Sequence, residues 1–229
     1  MSALIVIALI GSIYWQSIFS TVSAQGNVAV IVVDMQGDFT TWKKGSLAVA
    51  GADEEYVAKV KIATEGLAAK GYPVFATQDW HPADHVSFFS NHEGKKPFEL
   101  IQVENHTQIL WPPHCVQNSQ NAEILLNPKL FKGIVKKGKD KRYDSYSGFQ
   151  DDGGVETEMN HLLKASNIHE VIIYGLATDY CVKATAIDAL EAGYKVTVIE
   201  GLSKGVASDT TAKAYDEMKQ KGITVLEEL

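Results

Sequence analysis

The stretch NVAVIVV at residues 27–33 decides the fold of this chain. It is a continuous run of mostly β-branched residues, which is typical of a strand buried on both faces of a parallel sheet. Five further strands are predicted at residues 73–77, 134–137, 171–174, 196–199 and 223–226. Apolar residues that recur at helical spacing predict helices at residues 52–70, 155–165, 179–192 and 209–221. Strands that alternate with helices predict an α/β fold, with three α/β/α layers around a six-stranded, mainly parallel sheet.

Composition and charge narrow the class of protein. The chain has 229 residues, of which 45% are hydrophobic and 21% are charged, and its formal net charge is −7. These values are ordinary for a globular protein and exclude a disordered chain. The negative charge and the lack of a basic run argue against a nucleic-acid partner. No domain boundary or repeat follows residue 25, so residues 25–229 are predicted to form a single domain.

Residues 1–24 carry no charged side chain and are treated apart from the fold. An apolar run of about 13 residues is followed by Val-Ser-Ala at 22–24, which predicts a signal peptide cleaved before Gln25. The prediction places the mature protein in the periplasm or outside the cell. The alternatives are an uncleaved segment that contacts the membrane, or a first strand of a cytoplasmic protein.

Ligands of parallel sheets bind beyond the carboxyl ends of the strands, so the residues there are the first candidates for a site. The first predicted strand ends at Asp34, the second at Asp79-Trp80-His81, and the third at Lys136-Lys137. Cys181 follows the fourth strand, at the start of a predicted helix. Carboxylates, an ammonium, an imidazole and a thiol are therefore expected at one edge of the sheet.

Cys181 is a candidate nucleophile, because a helix amino terminus lowers a thiol pKa and offers N–H groups to an oxyanion. Asp34 could take the thiol proton, and Lys137 could stabilise the thiolate. Each also has a simpler interpretation, as an inert buried cysteine, a turn residue and a solvated lysine. The residues alone do not choose between Lys136 and Lys137, which face opposite sides of a strand.

Asp79, His81, His85 and His114 form a candidate metal site, since carboxylate and imidazole bind zinc, iron or manganese. Three protein ligands would leave positions open for water or substrate. The simpler interpretation is that several of the seven histidines are surface residues.

Taken together, five segments resemble the nicotinamidase branch of the isochorismatase-like cysteine hydrolase family. They occur in the order of that family and span nearly all of residues 27–225. The segments are VDMQGDF (33–39), QDWHPADHVSF (78–88), LWPPHCVQNS (110–119), KKG with DSYSGF (136–149) and GLATDYCVKATAIDA (175–189). The resemblance implies an isochorismatase-like fold with a Rossmann-like strand order.

The resemblance also implies roles for individual residues. It implies three catalytic residues, which are Asp34, Lys137 and Cys181. It implies three ligands to one divalent metal ion, which are Asp79, His81 and His114. Zinc is the expected metal, with iron or manganese as alternatives, and His85 matches a fourth ligand of some members only.

Further positions match the substrate pocket of the family. The aromatic walls of that pocket correspond to Phe39 and Trp111, with Tyr146 as a further candidate. The bond between Leu176 and Ala177 matches a non-proline cis peptide, which directs the N–H groups of Ala177 and Cys181 towards an oxyanion.

The implied reaction is hydrolysis of nicotinamide to nicotinate and ammonia through a thioester, in NAD salvage, with pyrazinamide as a further expected substrate. One alternative is a related amidohydrolase with a carbamoyl or ureido substrate, which the Asp79, His81 and His114 triad disfavours. Another is a non-catalytic nicotinamide-binding protein, although all three catalytic positions are filled. The sequence leaves open whether the chain forms a homo-oligomer.

Overall fold

A six-stranded sheet forms the centre of the protein in a computed structural model, which describes residues 27–103 and 106–229. The strands are β1 (Val28–Val33), β2 (Val74–Asp79), β3 (Leu100–Val103), β4 (His106–Ile109), β5 (Phe131–Lys137), β6 (Glu170–Gly175), β7 (Lys195–Ile199) and β8 (Thr224–Leu226). The order in the sheet is β5-β2-β1-β6-β7-β8, and each neighbouring pair is parallel. The predicted fold class is thus confirmed, with a sheet that is wholly parallel.

Strand β1 lies in the middle of the sheet, and all six of its residues are buried. Its even-numbered valines join one hydrophobic cluster and its odd-numbered residues join another, on the opposite face. The first cluster includes Val57, Val60 and Leu67 of helix α1 (Glu54–Ala69). Burial on both faces explains why β1 reads as an uninterrupted apolar run.

The second face is covered by three helices, α2 (Met159–Ala165), α3 (Lys183–Glu191) and α4 (Ser208–Gln220). Helix α2 begins four residues later than predicted. The cause is a turn in which the Asp151 carboxylate accepts hydrogen bonds from the N–H groups of Gly153 and Val155. Such side-chain bonds to nearby backbone compete with helix formation.

Strands β3 and β4 form an antiparallel hairpin within residues 79–132, where the sequence predicts no regular structure. Residues 1–24, predicted as a signal peptide, lie outside the described residues. Among the helices in 27–103 and 106–229, none combines the length and apolar character needed to cross a membrane.

Candidate active site

The carboxyl edge of the sheet gathers three buried charged side chains from adjacent strands. Asp34 follows the end of β1, Asp79 ends β2 and Lys137 ends β5. Asp79 and Lys137 are direct partners across the β2–β5 pair. Their exposed fractions are 0%, 4% and 1%, respectively, so their charges are compensated by one another rather than by water.

The Lys137 ammonium is the centre of this cluster. Its Nζ lies 2.9 Å from Asp34 Oδ2 and 2.5 Å from Asp79 Oδ1. It also donates to the Ser145 carbonyl at 2.7 Å and lies 3.5 Å from Cys181 Sγ. Ligand atoms of Asp34, Asp79 and Cys181 lie within 4.8 Å of one another, and the cation that they share is this ammonium.

Lys136 has a different environment from its neighbour. Its Nζ lies 3.4 Å from the centre of the Trp80 ring, on the other side of β5. The alternation of side chains along the strand therefore resolves the ambiguity that the sequence left. Only Lys137 is directed into the buried charge cluster.

Burial and neighbouring charges shift the pKa values of these groups in different directions. Burial raises the pKa of Asp34 to about 6, against the lowering influence of Lys137. Burial favours the neutral form of Lys137, but Asp34 and Asp79 outweigh it and raise the pKa of the ammonium well above its usual range. Lys137 is therefore charged throughout the neutral range.

Burial also raises the pKa of the Cys181 thiol well above its usual range, although Lys137 acts in the opposite direction. This differs from the expectation of a thiol activated by a helix amino terminus. Cys181 lies in a π-helical turn, Thr178–Val182, beside two carboxylates. The thiol is neutral at rest and needs a base, for which Asp34 is suited because Thr77 orients its Oδ1 through a 2.6 Å hydrogen bond.

We expect the kcat/KM for the amide hydrolysis that the resemblance implies to fall as the pH drops through about 6, because protonated Asp34 cannot accept the thiol proton. A pH–rate profile measures this loss. The metal content of each sample is measured in parallel, since protonation of histidine ligands would release a cation. A profile that stays flat to pH 5 with the metal retained would contradict the assignment of Asp34 as the base.

A second group of side chains lies directly beside Lys137. Asp79 Oδ2 is 3.4 Å from His81 Nε2 and 3.8 Å from His114 Nε2. Three ligand atoms, one from each residue, lie within 4.8 Å of one another and are buried. The two oxygens of Asp79 are thus divided, one towards Lys137 and the other towards the imidazoles.

The hydrogen bonds of the two imidazoles fit a bound cation. His81 Nδ1 lies 3.0 Å from the Gly138 carbonyl, and His114 Nδ1 lies 2.8 Å from the Pro112 carbonyl. A carbonyl only accepts, so each Nδ1 carries a proton, and in the neutral form of each ring Nε2 presents its lone pair to Asp79. His81 Nε2 is buried without a hydrogen-bond partner. A divalent cation between these atoms would satisfy all three.

The charge states of the two imidazoles also support a cation site beside Asp79. Burial lowers the pKa of His114 to about 4, so this ring is neutral at pH 7. Burial also opposes the charged form of His81, but Asp79 outweighs it and raises the pKa of that ring. Asp79 therefore attracts positive charge into the position between the rings, and the donor set suits zinc, iron or manganese.

Gly138 is required by this arrangement. It adopts a positive φ of 65°, and a Cβ added there would collide with the His81 ring. The residue after Lys137 must therefore be a glycine for His81 to keep its position.

His85 lies next to the triad but is not part of it. Its ring centre is 4.3 Å from that of His81. Its Nδ1 lies 2.8 Å from Ser87 Oγ and its Nε2 lies 3.1 Å from the Tyr143 carbonyl. Both nitrogens are thus occupied by protein atoms, and the structure does not bring His85 among the candidate ligands.

Aromatic side chains pack beside the candidate ligands and the Cys181 turn. The Phe39 ring lies 5.5 Å from His114, and the Trp111 indole N–H donates to the Tyr146 hydroxyl at 3.1 Å. Tyr180, which sequence reasoning missed, packs 5.1 Å from Trp111 and 5.6 Å from Tyr146. Its position directly before Cys181 was the available signal.

The peptide bond between Leu176 and Ala177 is cis, as the resemblance implied. The Ala177 carbonyl accepts hydrogen bonds from the N–H groups of Tyr180 and Val182, which close the turn that carries Cys181. The Asp179 carboxylate accepts from the backbone of Val206 and Ala207, which ties this turn to the start of α4.

Sequence reasoning also missed two buried polar residues, Gln36 and Asp38. The Asp38 carboxylate accepts the Cys115 N–H at 2.7 Å and so supports the backbone next to His114. Gln36 binds the backbone of Asp79. Both lie in the quoted segment 33–39, but Asp79 and Cys115 are 43 and 77 residues away from them, respectively, which local patterns do not reveal.

Comparisons with known proteins show the family of the chain. The Isochorismatase domain family matches residues 28–228. The nicotinamidase of Escherichia coli K12 is 41% identical over 202 residues, which cover 86% of this chain and 93% of that protein.

Solved structures give the same result. The nicotinamidase/pyrazinamidase of Acinetobacter baumanii has a TM-score of 0.80 and 38% identity, and covers 89% of this chain and 97% of its own. The pyrazinamidase of Pyrococcus horikoshii, solved in complex with zinc, has a TM-score of 0.74 and 34% identity, with coverage of 89% and 99%.

Proposed function

The chain belongs to the isochorismatase family, and we propose that it is an amidohydrolase that converts nicotinamide to nicotinate and ammonia. The observation that carries this proposal is the position of Lys137 Nζ, 3.5 Å from Cys181 Sγ and 2.9 Å from Asp34. The same ammonium contacts Asp79, which belongs to the candidate metal triad. A thiol, a base and a ligand set therefore share one buried cluster.

The first half of the reaction follows from these contacts. Asp34 takes the proton of Cys181, and the thiolate attacks the carboxamide carbon of the substrate. Lys137 stabilises the thiolate while it forms. The N–H groups of Ala177 and Cys181 stabilise the oxyanion. The C–N bond then breaks, Asp34 returns the proton to the leaving nitrogen, and ammonia departs to leave a thioester on Cys181.

The second half releases the product. Asp34 is again a base and removes a proton from water, which attacks the thioester and frees nicotinate and the Cys181 thiol. Phe39, Trp111 and Tyr146 would pack against the aromatic ring. A divalent ion held by Asp79, His81 and His114, zinc by preference, would supply a Lewis acid that anchors the ring nitrogen.

Ammonia release from nicotinamide by the purified, metal-loaded protein tests the proposed activity. Pyrazinamide should also be hydrolysed, because it has the same carboxamide and a ring nitrogen in the same place. Release from an N-carbamoyl substrate alone would favour the related amidohydrolase. Binding of nicotinamide without release of ammonia would indicate a non-catalytic protein. We further propose that the reaction supplies nicotinate for NAD salvage.

We expect His114→Ala and His81→Ala each to lose the bound metal and most of the activity together. Each replacement removes one of three ligands, and the remaining two hold a cation poorly. Chelation should inactivate the wild-type enzyme, and zinc, manganese or iron should restore it. His161→Ala is the control, since His161 is exposed on α2. Full activity in a preparation that metal analysis finds empty would contradict this prediction.

A further inference from the structure

The Gln36 side chain is fully buried and binds three backbone groups. Its Oε1 accepts the Asp79 N–H at 2.8 Å. Its Nε2 donates to the Asp79 carbonyl at 2.8 Å and to the Ala122 carbonyl at 2.7 Å. One amide therefore holds the candidate ligand Asp79 by both of its backbone polar groups.

The path of β1 explains why this amide is needed. Strands β1 and β2 pair as far as Val32 and Ala76. The chain then leaves the sheet at Asp34, where φ is +45°, while β2 continues to Asp79 beside β5. The side of Asp79 that faces β1 has lost its partner strand. The Gln36 amide takes the place of the missing peptide, since it offers one acceptor and one donor as a strand would.

We propose that Gln36 is a positioning residue for the metal site. By fixing the backbone of Asp79, it directs one carboxylate oxygen to Lys137 and the other to His81 and His114. The backbone N–H of Gln36 donates to the Asp34 carbonyl at 2.7 Å. Gln36 therefore contacts the backbones of Asp34 and Asp79, the two carboxylate residues that flank the Lys137 ammonium. The inference rests on the proposed function only in taking Asp79 as a metal ligand.

Gln78 provides a matched control. Its side chain is also a buried amide, 4% exposed, and its Nε2 donates to the same Ala122 carbonyl at 2.8 Å. The hydrogen bond of the Gln78 side-chain amide goes to the Ala122 carbonyl rather than to the backbone of Asp79. Gln36→Glu and Gln78→Glu therefore disturb the same carbonyl, but only Gln36→Glu also places an oxygen against the Asp79 carbonyl.

The experiment measures the zinc dissociation constant of the full chain by competition with a chelating dye, and kcat in parallel. Circular dichroism and thermal unfolding in chelator measure the fold without zinc. We expect Gln36→Glu to bind zinc roughly 10- to 100-fold more weakly and to lose kcat, as is usual for residues that orient metal ligands. Gln78→Glu should stay close to the wild type.

Equal losses in the two variants, or wild-type zinc affinity in Gln36→Glu, would overturn the proposal. If Gln36→Glu does not fold, amide NMR of the wild type decides: the Gln36 side-chain signals should shift when zinc is added and those of Gln78 should not. Unchanged Gln36 signals would also overturn it. A wild type that binds zinc but releases no ammonia would refute the proposed function and leave this test intact.

Discussion

Replacing Cys181 with alanine is expected to abolish amide hydrolysis while the fold and the bound metal remain. The thiol forms a covalent bond that no other side chain at the cluster can form, so the loss in kcat should be roughly 10⁴-fold or more. Steady-state ammonia release, metal analysis and circular dichroism measure the three properties. The Sγ atom lies beside Lys137, outside the Asp79, His81 and His114 group, so metal content should not change.

Cys115→Ala is the matched control for this experiment. Cys115 is a free, fully buried thiol that packs in the hydrophobic cluster on the α1 face of the sheet. Its variant should keep most of the activity. Mass spectrometry of quenched wild-type enzyme should find the acyl group on Cys181 and not on Cys115. A Cys181→Ala enzyme with a kcat within about tenfold of wild type would remove the thiol from the mechanism.

Replacing Lys137 with methionine is expected to damage stability and catalysis together. The ammonium compensates Asp34 and Asp79, and its removal leaves two carboxylates buried side by side. Loss of one partner of a buried ion pair typically costs about 3–5 kcal/mol in the free energy of unfolding. Activity should fall at least about 100-fold, because the charge that stabilises the thiolate is gone.

The stability of the Lys137→Met variant is expected to change with pH in one direction. Lys137 lowers the pKa of Asp34, so its removal raises that pKa further above the value in the unfolded chain. The folded state then binds more protons than the unfolded state, and stability falls as the pH rises. Denaturant unfolding should therefore show that the variant loses free energy of unfolding relative to the wild type, and that this loss is largest near pH 7 and smaller at acid pH. Lys136→Met, which removes only the contact with Trp80, is the control. Equal stability losses in both variants would contradict the role of Lys137.

Much of the fold was predictable from the sequence, because the pattern is local. Residues 28–33 are buried on both faces of a central strand, and their apolar composition indicates this directly. The match of residues 28–228 confirms the family that the five segments predicted. Since parallel strands end at one edge, Asp34, Asp79 and one of the two lysines at 136 and 137 could be predicted to meet before any distance was known.

The features that the sequence did not reveal depend on contacts or burial that involve residues far apart in the chain. Most residues of the β3–β4 hairpin are exposed or half-exposed, so its strands carry little hydrophobic pattern. The choice of Lys137 over Lys136 depends on the register of β5 against β2, which places Lys137 beside Asp79 on the same face of the sheet. Gln36 acts on an atom of Asp79, 43 residues away, and nothing in its neighbours indicates this. The neutral resting thiol follows from burial, which a helix-terminus argument does not include.

The direction of β1 has a practical consequence for anyone who wishes to attach this enzyme to a surface or fuse it to another protein. A six-residue strand is about 20 Å long, and β1 begins with Val28 at the edge of the sheet opposite to Asp34. Strand β8, in contrast, runs parallel to β7 and ends with Leu226 at the same edge of the sheet as Asp34. A linker joined ahead of residue 27 would leave from the far edge, about the length of β1 away from Asp34, so that end of β1 is the better point for immobilisation.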